Sequence, residues 1–175
     1  ITVLTNWRKT SLMVAVSDTS PISSLSITGR LDLLRSQFSQ VLIPEAVRTE
    51  LERMPNPEAK ASIENALRDG WLLCRAVGNW QVAAALGNVL DQGEAEAIAL
   101  ATEIQAGVLL IDEKEGRDFA RQAGLLVRGV LGVLIRAKTM GEIASVRAEI
   151  GALRNRAGFF VAASLEACIL RSVGE

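Results

Sequence analysis

Along this chain the apolar positions fall into short blocks whose spacing switches between strand-like and helix-like periods, and that switching predicts the order of elements. Met13 to Val16 is a β-prone run ending in Ser17 and Asp18, and Pro21 follows where the first turn of a helix accepts it. The reading is strand, acidic turn, helix. Apolar residues recur at Ile22, Leu25 and Ile27, then at Leu31, Leu33, Leu34 and Phe38, with Gly29 between the groups, so two short helices are expected. Val41 to Ile43 reads as a second buried strand. Pro44 opens a helix with the stripe Val47, Leu51 and Met54, which Pro55 and Pro57 end. A further helix from Glu58 to Leu67 leads through Gly70 to the apolar run Trp71 to Cys74.

From Gln92 to Gln105 the apolar positions Ala97, Ile98, Ala101 and Ile104 predict another helix, closed by Gly107. Val108 to Ile111 is the most strand-like run in the chain, and Asp112 stands at its end. Glu113 to Ala123 reads as helical, Gly124 stops it, and Leu125 to Val127 is a last short strand before a helical tail. Parallel neighbours need crossover connections, so this alternation predicts an α/β fold with a central, mainly parallel sheet covered on both faces. The expected arrangement is one domain over residues 13–175, preceded by an extension over 1–12. With 175 residues, one domain can bury a continuous core without disulfides or a structural metal.

Composition narrows the chemistry. Hydrophobic residues make up 49% and charged residues 22%, as in an ordinary globular protein. Cys74 and Cys168 sit far apart in apolar surroundings and read as buried, reduced thiols of a cytoplasmic protein. Histidine is absent, which excludes Ser-His-Asp and Cys-His machinery and imidazole zinc sites, so hydrolytic chemistry would run on carboxylates. The net charge of −1 argues against a strongly basic nucleic-acid scaffold while leaving room for a local basic strip. No stretch reaches the roughly 20 apolar residues that span a bilayer, and Asp18 interrupts the apolar segment behind Arg8 and Lys9, so neither membrane insertion nor export is expected.

Ligands of open α/β sheets bind outside the carboxyl ends of the strands, where Asp18 and Asp112 are both placed. Either alone is explained as well by capping the helix that follows it. The helical acids add to the pair. Glu50 lies at the margin of the stripe marked by Val47 and Leu51, whereas Glu45 in the first turn is accounted for by the helix dipole. Glu94 precedes Ala97 and Ile98 by helical spacing and extends their stripe, and Glu96 phases with Leu100 and Glu103, which ranks Glu94 ahead as the inward acid. Four carboxylates at one sheet edge would raise one another's pKa unless a cation neutralised them, and hard oxygen ligands suit Mg²⁺ or Mn²⁺.

Taken together, five segments resemble the PIN-domain family, in particular its prokaryotic branch related to VapC-type toxins. They are SDTSPISSL from Ser17, VLIPEAVRTEL from Val41, DQGEAEAIALA from Asp91, LLIDEKEGRDFA from Leu109 and GVLGVLIRAK from Gly129. The resemblance runs from Met13 to about Gly141 and implies a PIN-like three-layer α/β/α fold. It implies catalytic, metal-holding acids at Asp18, Glu50, Glu94 or Glu96, and Asp112, with Glu113 as an assisting acid and Thr19 or Ser20 as hydroxyls near the metal shell. It further implies cleavage of RNA with Mg²⁺ or Mn²⁺ and an activated water, a homodimer, and a protein antitoxin if the chain belongs to a toxin–antitoxin pair. Many relatives have Asp where this chain has Glu at the third position. Arg117, Arg128, Arg136 and Lys138 are candidates for phosphate contacts, set against the ordinary reading of helix-surface cations as solvated groups.

Rival readings are weaker. A receiver would need paired acids at the first strand, and a haloacid-dehalogenase-like phosphatase an Asp-x-Asp, where position 20 is Ser. A PIN-like module that binds RNA or protein without cutting is the main alternative. Trp80, Leu86 and the apolar tail Phe159 to Leu170 offer a third reading as a partner surface, although such stripes more often serve the core.

Overall fold

The computed structural model describes residues 13–175, so the proposed extension over 1–12 lies outside the described residues. Five parallel strands form one sheet in the order β3-β2-β1-β4-β5: β1 (Met13–Ser17), β2 (Phe38–Ile43), β3 (Leu72–Cys74), β4 (Val108–Leu110) and β5 (Val127–Arg128). After β1 the chain steps outward through β2 and β3, then returns to the other side of β1 for β4 and β5. The order therefore reverses between β1 and β4, which makes a crevice at their carboxyl ends.

Alternating side chains send each strand into two cores. Ala15, Val41, Ile43, Val108 and Leu110 face one, and Val16, Leu42, Leu109 and Ile111 face the other. The first core is covered by α1 (Thr19–Ile27), α2 (Asp32–Gln37), α3 (Glu45–Glu52), α4 (Pro57–Arg68), α8 (Val130–Met140), α9 (Val146–Ala157) and α10 (Ala163–Ser172). The second is covered by α5 (Trp80–Leu86), α6 (Gln92–Glu103) and α7 (Lys114–Gln122). This is the three-layer α/β/α arrangement that the alternation of periods implies. No helix among the described residues is long and apolar enough to cross a membrane.

Several boundaries move for tertiary reasons. Phe38, expected in a helix, opens β2 because it pairs with Met13 and buries its ring in the sheet core. β5 covers Val127 and Arg128, paired with Leu109 and Leu110, and Leu125 and Leu126 remain in the approach to it. Met54 lies beyond α3. Helix α5 carries no strong periodic signal. Asn79 caps it by accepting from the Val82 N–H, and Glu103 of α6 accepts from the N–H groups of Gly78 and Asn79. Both cysteines are free and exposed, contrary to the expected burial: Cys74 closes an edge strand, and Cys168 lies on α10, where Ile169 and Leu170 do the burying.

Candidate functional site

Asp18 sits at the end of β1, where its N–H donates to the Leu110 carbonyl at 2.9 Å and ties the turn to β4. Its extended backbone makes it the N-cap of α1, and its Oδ2 accepts from the Ser20 N–H at 3.4 Å. Capping and a site role are thus not alternatives, because the other oxygen is left for the crevice. A Cβ placed on Gly93 would lie 3.2 Å from Asp18 Oδ1 and 3.0 Å from Glu50 Oε1. The two carboxylates therefore flank one gap, which the missing side chain of Gly93 keeps open. Thr19 Oγ1 donates to Glu50 Oε2 at 2.5 Å and fixes the acid's orientation.

Asp112 follows β4 and accepts from the Val130 N–H at 2.9 Å. The helix it caps is therefore α8, not the one beginning just after it, whose N-cap Glu113 makes no side-chain cap bond. Ser20 Oγ donates to Asp112 Oδ2 at 3.4 Å, so adjacent hydroxyls of α1 reach Glu50 of α3 and the strand-end acid Asp112. Glu113 is exposed and lines the same cavity of about 610 Å³ as Asp18, Glu50 and Asp112.

The two acids of α6 differ in what their oxygens meet. Both are buried, Glu94 at 5% exposure and Glu96 at 3%, because α6 is enclosed on almost every side along Gly93–Ala101. Glu96 does not face solvent: its Oε2 accepts from the Ala46 N–H at 3.0 Å in the first turn of α3, and its Oε1 accepts from Gln92 Nε2 at 2.9 Å. Both of its oxygens hold the scaffold. Glu94 Oε1 is buried without a hydrogen-bond partner, close against Gly116 of α7. An unpaired buried carboxylate oxygen is costly and marks a place built for a proton or a cation.

Burial shapes the electrostatics of Asp18, Glu94 and Asp112. Desolvation pushes Asp18 up to about 7, helped by the charges of Asp91 and Glu94 and opposed by the N–H groups of Thr19 and Ser20. Glu94 is likewise raised to about 7 by desolvation and by Asp91, Glu113 and Glu115. Asp112 is raised to about 6 by desolvation, with the Val130 N–H and Arg117 holding it lower than burial alone would.

Asp91 belongs to this set although sequence reasoning passed over it. It caps α6 by accepting from the Glu94 N–H at 2.8 Å, lines the acid cavity, and raises both Asp18 and Glu94. The signal was its place directly before a Gln-Gly-Glu helix start, in the same relation to α6 that Asp18 has to α1. Arg117 and Arg128 line a neighbouring cavity of about 670 Å³ that shares Asp112 with the first, and Arg128 also donates to the Val127 carbonyl. Lys138 is carried to the far end of α8, where it pairs with Glu175 at 3.0 Å, and Arg136 lies in the second half of the same helix. Trp80 is 56% exposed on α5, distant in sequence from the apolar tail, whose Ile169 and Leu170 are core residues.

A divalent cation can be judged against this donor set. Among the described residues no three acids already converge as a finished cage. Mg²⁺ and Mn²⁺ do not require one, because such ions keep several waters and take one or two carboxylates directly. The orphaned Glu94 oxygen, the gap at Gly93 and an all-oxygen donor set fit an ion of that kind.

Fold and site together define an α/β protein with an acid-lined crevice at the switch point of a parallel sheet. The family described as DUF3368: PIN domain matches residues 14–175, and this chain belongs to the PIN-domain family, whose members are usually nucleases. A solved structure of a PilT N-terminus domain protein from the hyperthermophilic archaeon Sulfolobus solfataricus P2 is similar at 24% identity with a TM-score of 0.48, over 71% of this chain and 93% of that chain. No curated protein matches.

Proposed function

We propose that this protein is an endoribonuclease that hydrolyses RNA phosphodiester bonds with Mg²⁺ or Mn²⁺, as the toxin of a toxin–antitoxin pair. The observation that carries the reading is the buried, partnerless Glu94 oxygen, on a residue whose charge and that of Asp91 both raise Asp18, while Asp18, Glu50, Asp91 and Asp112 line one cavity; a divalent ion would relieve both desolvation and mutual repulsion there. Asp18, Glu50, Glu94 and Asp112 would hold the ion, with Glu113 and Asp91 acting at longer range through water. When bound, the ion lowers the pKa of a water and neutralises charge on the phosphodiester under in-line attack.

The chain's own residues set the positions. Thr19 and Ser20 lock the Glu50 and Asp112 carboxylates, Glu96 fixes α3 against α6, and Arg117 and Arg128 offer positive charge to the flanking phosphates on the far side of Asp112. In this reading the protein works in the cytoplasm as a homodimer, and its antitoxin is a protein that blocks the crevice. A nuclease assay on an RNA panel with Mg²⁺ or Mn²⁺, comparing the parent with Asp18→Asn, tests it. Metal-dependent cutting that Asp18→Asn abolishes is expected. Binding of RNA without cutting would leave the non-catalytic module as the better reading.

A further inference from the structure

The connection between α9 and α10 carries Phe160, which is 86% exposed, the highest value among the large hydrophobic side chains of the described residues. A single exposed aromatic needs no explanation by itself. Phe160 is singled out by how it is held and by what it borders. Gly158 ends α9 in the left-handed region at φ 66°, the Phe159 N–H returns to the Leu153 carbonyl at 3.1 Å, and Phe159 and Val161 both pack on the core, so the ring between them is turned outward on an anchored backbone. Helix α9 is itself pinned: Glu149 takes the Arg30 guanidinium through two hydrogen bonds, and Glu175 accepts from the N–H groups of Val146 and Arg147.

Phe159 and Phe160 line both cavities, the acid one and the larger one that holds Arg117, Arg121 and Arg128. The aromatic pair thus stands where the acids give way to cations. Arg117, Arg121 and Arg128 line the larger cavity together with Asp112, and the Arg121–Asp118 pair at 3.1 Å is exposed and weak. Most of the remaining wall is apolar, with Leu126 and Leu165 its exposed members. A surface that sets an outward aromatic beside arginines and next to a hydrolytic centre has the chemistry of a single nucleic-acid strand: a base face for stacking and a phosphate on either side of it.

We propose that Phe160 is a stacking platform for a nucleobase next to the scissile phosphate, with the cavity that holds the arginines taking the adjoining backbone. The inference rests on the nuclease reading above. Bases inside an A-form duplex are stacked on one another and have no free face to offer, so the platform discriminates against paired RNA.

The test measures fluorescence anisotropy of a labelled, mixed-sequence single-stranded RNA of about 12 nucleotides, with Ca²⁺ and separately with EDTA, for the parent, Phe160→Ala and Phe160→Tyr. Phe160→Ala is expected to weaken binding on the order of tenfold and Phe160→Tyr to retain it. The same strand with abasic sites should erase the difference between parent and Phe160→Ala, and the matching duplex should bind more weakly than the single strand. Equal affinity of Phe160→Ala and parent, an undiminished loss on the abasic strand, or a parent that binds no strand under either condition would overturn the proposal. So would a Phe160→Ala variant whose only change is its mass in size exclusion, which would assign the ring to a second copy of the chain. Absence of Mg²⁺-dependent cleavage alongside the expected binding pattern would sink the nuclease reading and leave the stacking platform standing.

Discussion

Replacing Gly93 with alanine separates the ion's gap from the stability of the fold. The new Cβ would sit 3.0 Å from Glu50 Oε1 and 3.2 Å from Asp18 Oδ1, so both carboxylate ends must retreat by a few tenths of an ångström from the space they flank. The retreat costs the fold little, because the atoms that move are the ends of side chains. In the first turn of α6 alanine is favoured over glycine by up to about 1 kcal/mol. In EDTA the variant should therefore melt within a few degrees of the parent. Metal should behave differently. At an ion concentration about 100 times Kd, binding stabilises the parent by about 2.7 kcal/mol, a rise of roughly 5–10 °C for a chain of this length. A tenfold loss of affinity in Gly93→Ala cuts that gain to about 1.4 kcal/mol and halves the shift. Differential scanning calorimetry with and without Mn²⁺ reads both quantities. An undiminished Mn²⁺ shift in the variant would refute the placement of the ion between Asp18 and Glu50, and a large fall in melting temperature in EDTA would show that Gly93 serves packing instead.

Stability of the metal-free protein should fall as pH rises. Asp18 and Glu94 at about 7 and Asp112 at about 6 hold their protons more tightly folded than unfolded, so their contribution is full below about pH 4 and is lost as pH climbs through 6 to 7. Glu175, held down to about 2 chiefly by the N–H of Arg147, titrates below that window. Urea midpoints in EDTA should be higher at pH 5 than at pH 8, with Mg²⁺ recovering the difference at pH 8; a flat or rising profile in EDTA would contradict the burial of the acids. The two acids of α6 should also separate. Glu94→Gln keeps the fold and loses the Mn²⁺-dependent shift, whereas Glu96→Ala strands the Ala46 N–H and costs about 1–2 kcal/mol in urea denaturation. The reverse pattern would exchange their roles.

The sequence by itself determined the layers. Local alternation of periods, read from runs such as Val14–Val16 and Val108–Ile111, was enough to predict strands, crossovers and the strand-end positions of Asp18 and Asp112, because these follow from nearest neighbours along the chain. Where contacts cross between elements, the sequence was silent or misled. Helical phase ranked Glu94 ahead of Glu96 as the inward acid, yet both are buried, since α6 is enclosed by the sheet and by α3, α5 and α7. Only the fold distinguishes them, by giving Glu96 the α3 backbone and leaving one Glu94 oxygen alone. Phe38, the cap made by Asp112 on α8, and the place of Asp91 among the acids were decided in the same way, by partners many residues distant. An acid's position along its element is local, but the partners its oxygens find are set by packing, and those partners separate a scaffold carboxylate from one left to hold an ion.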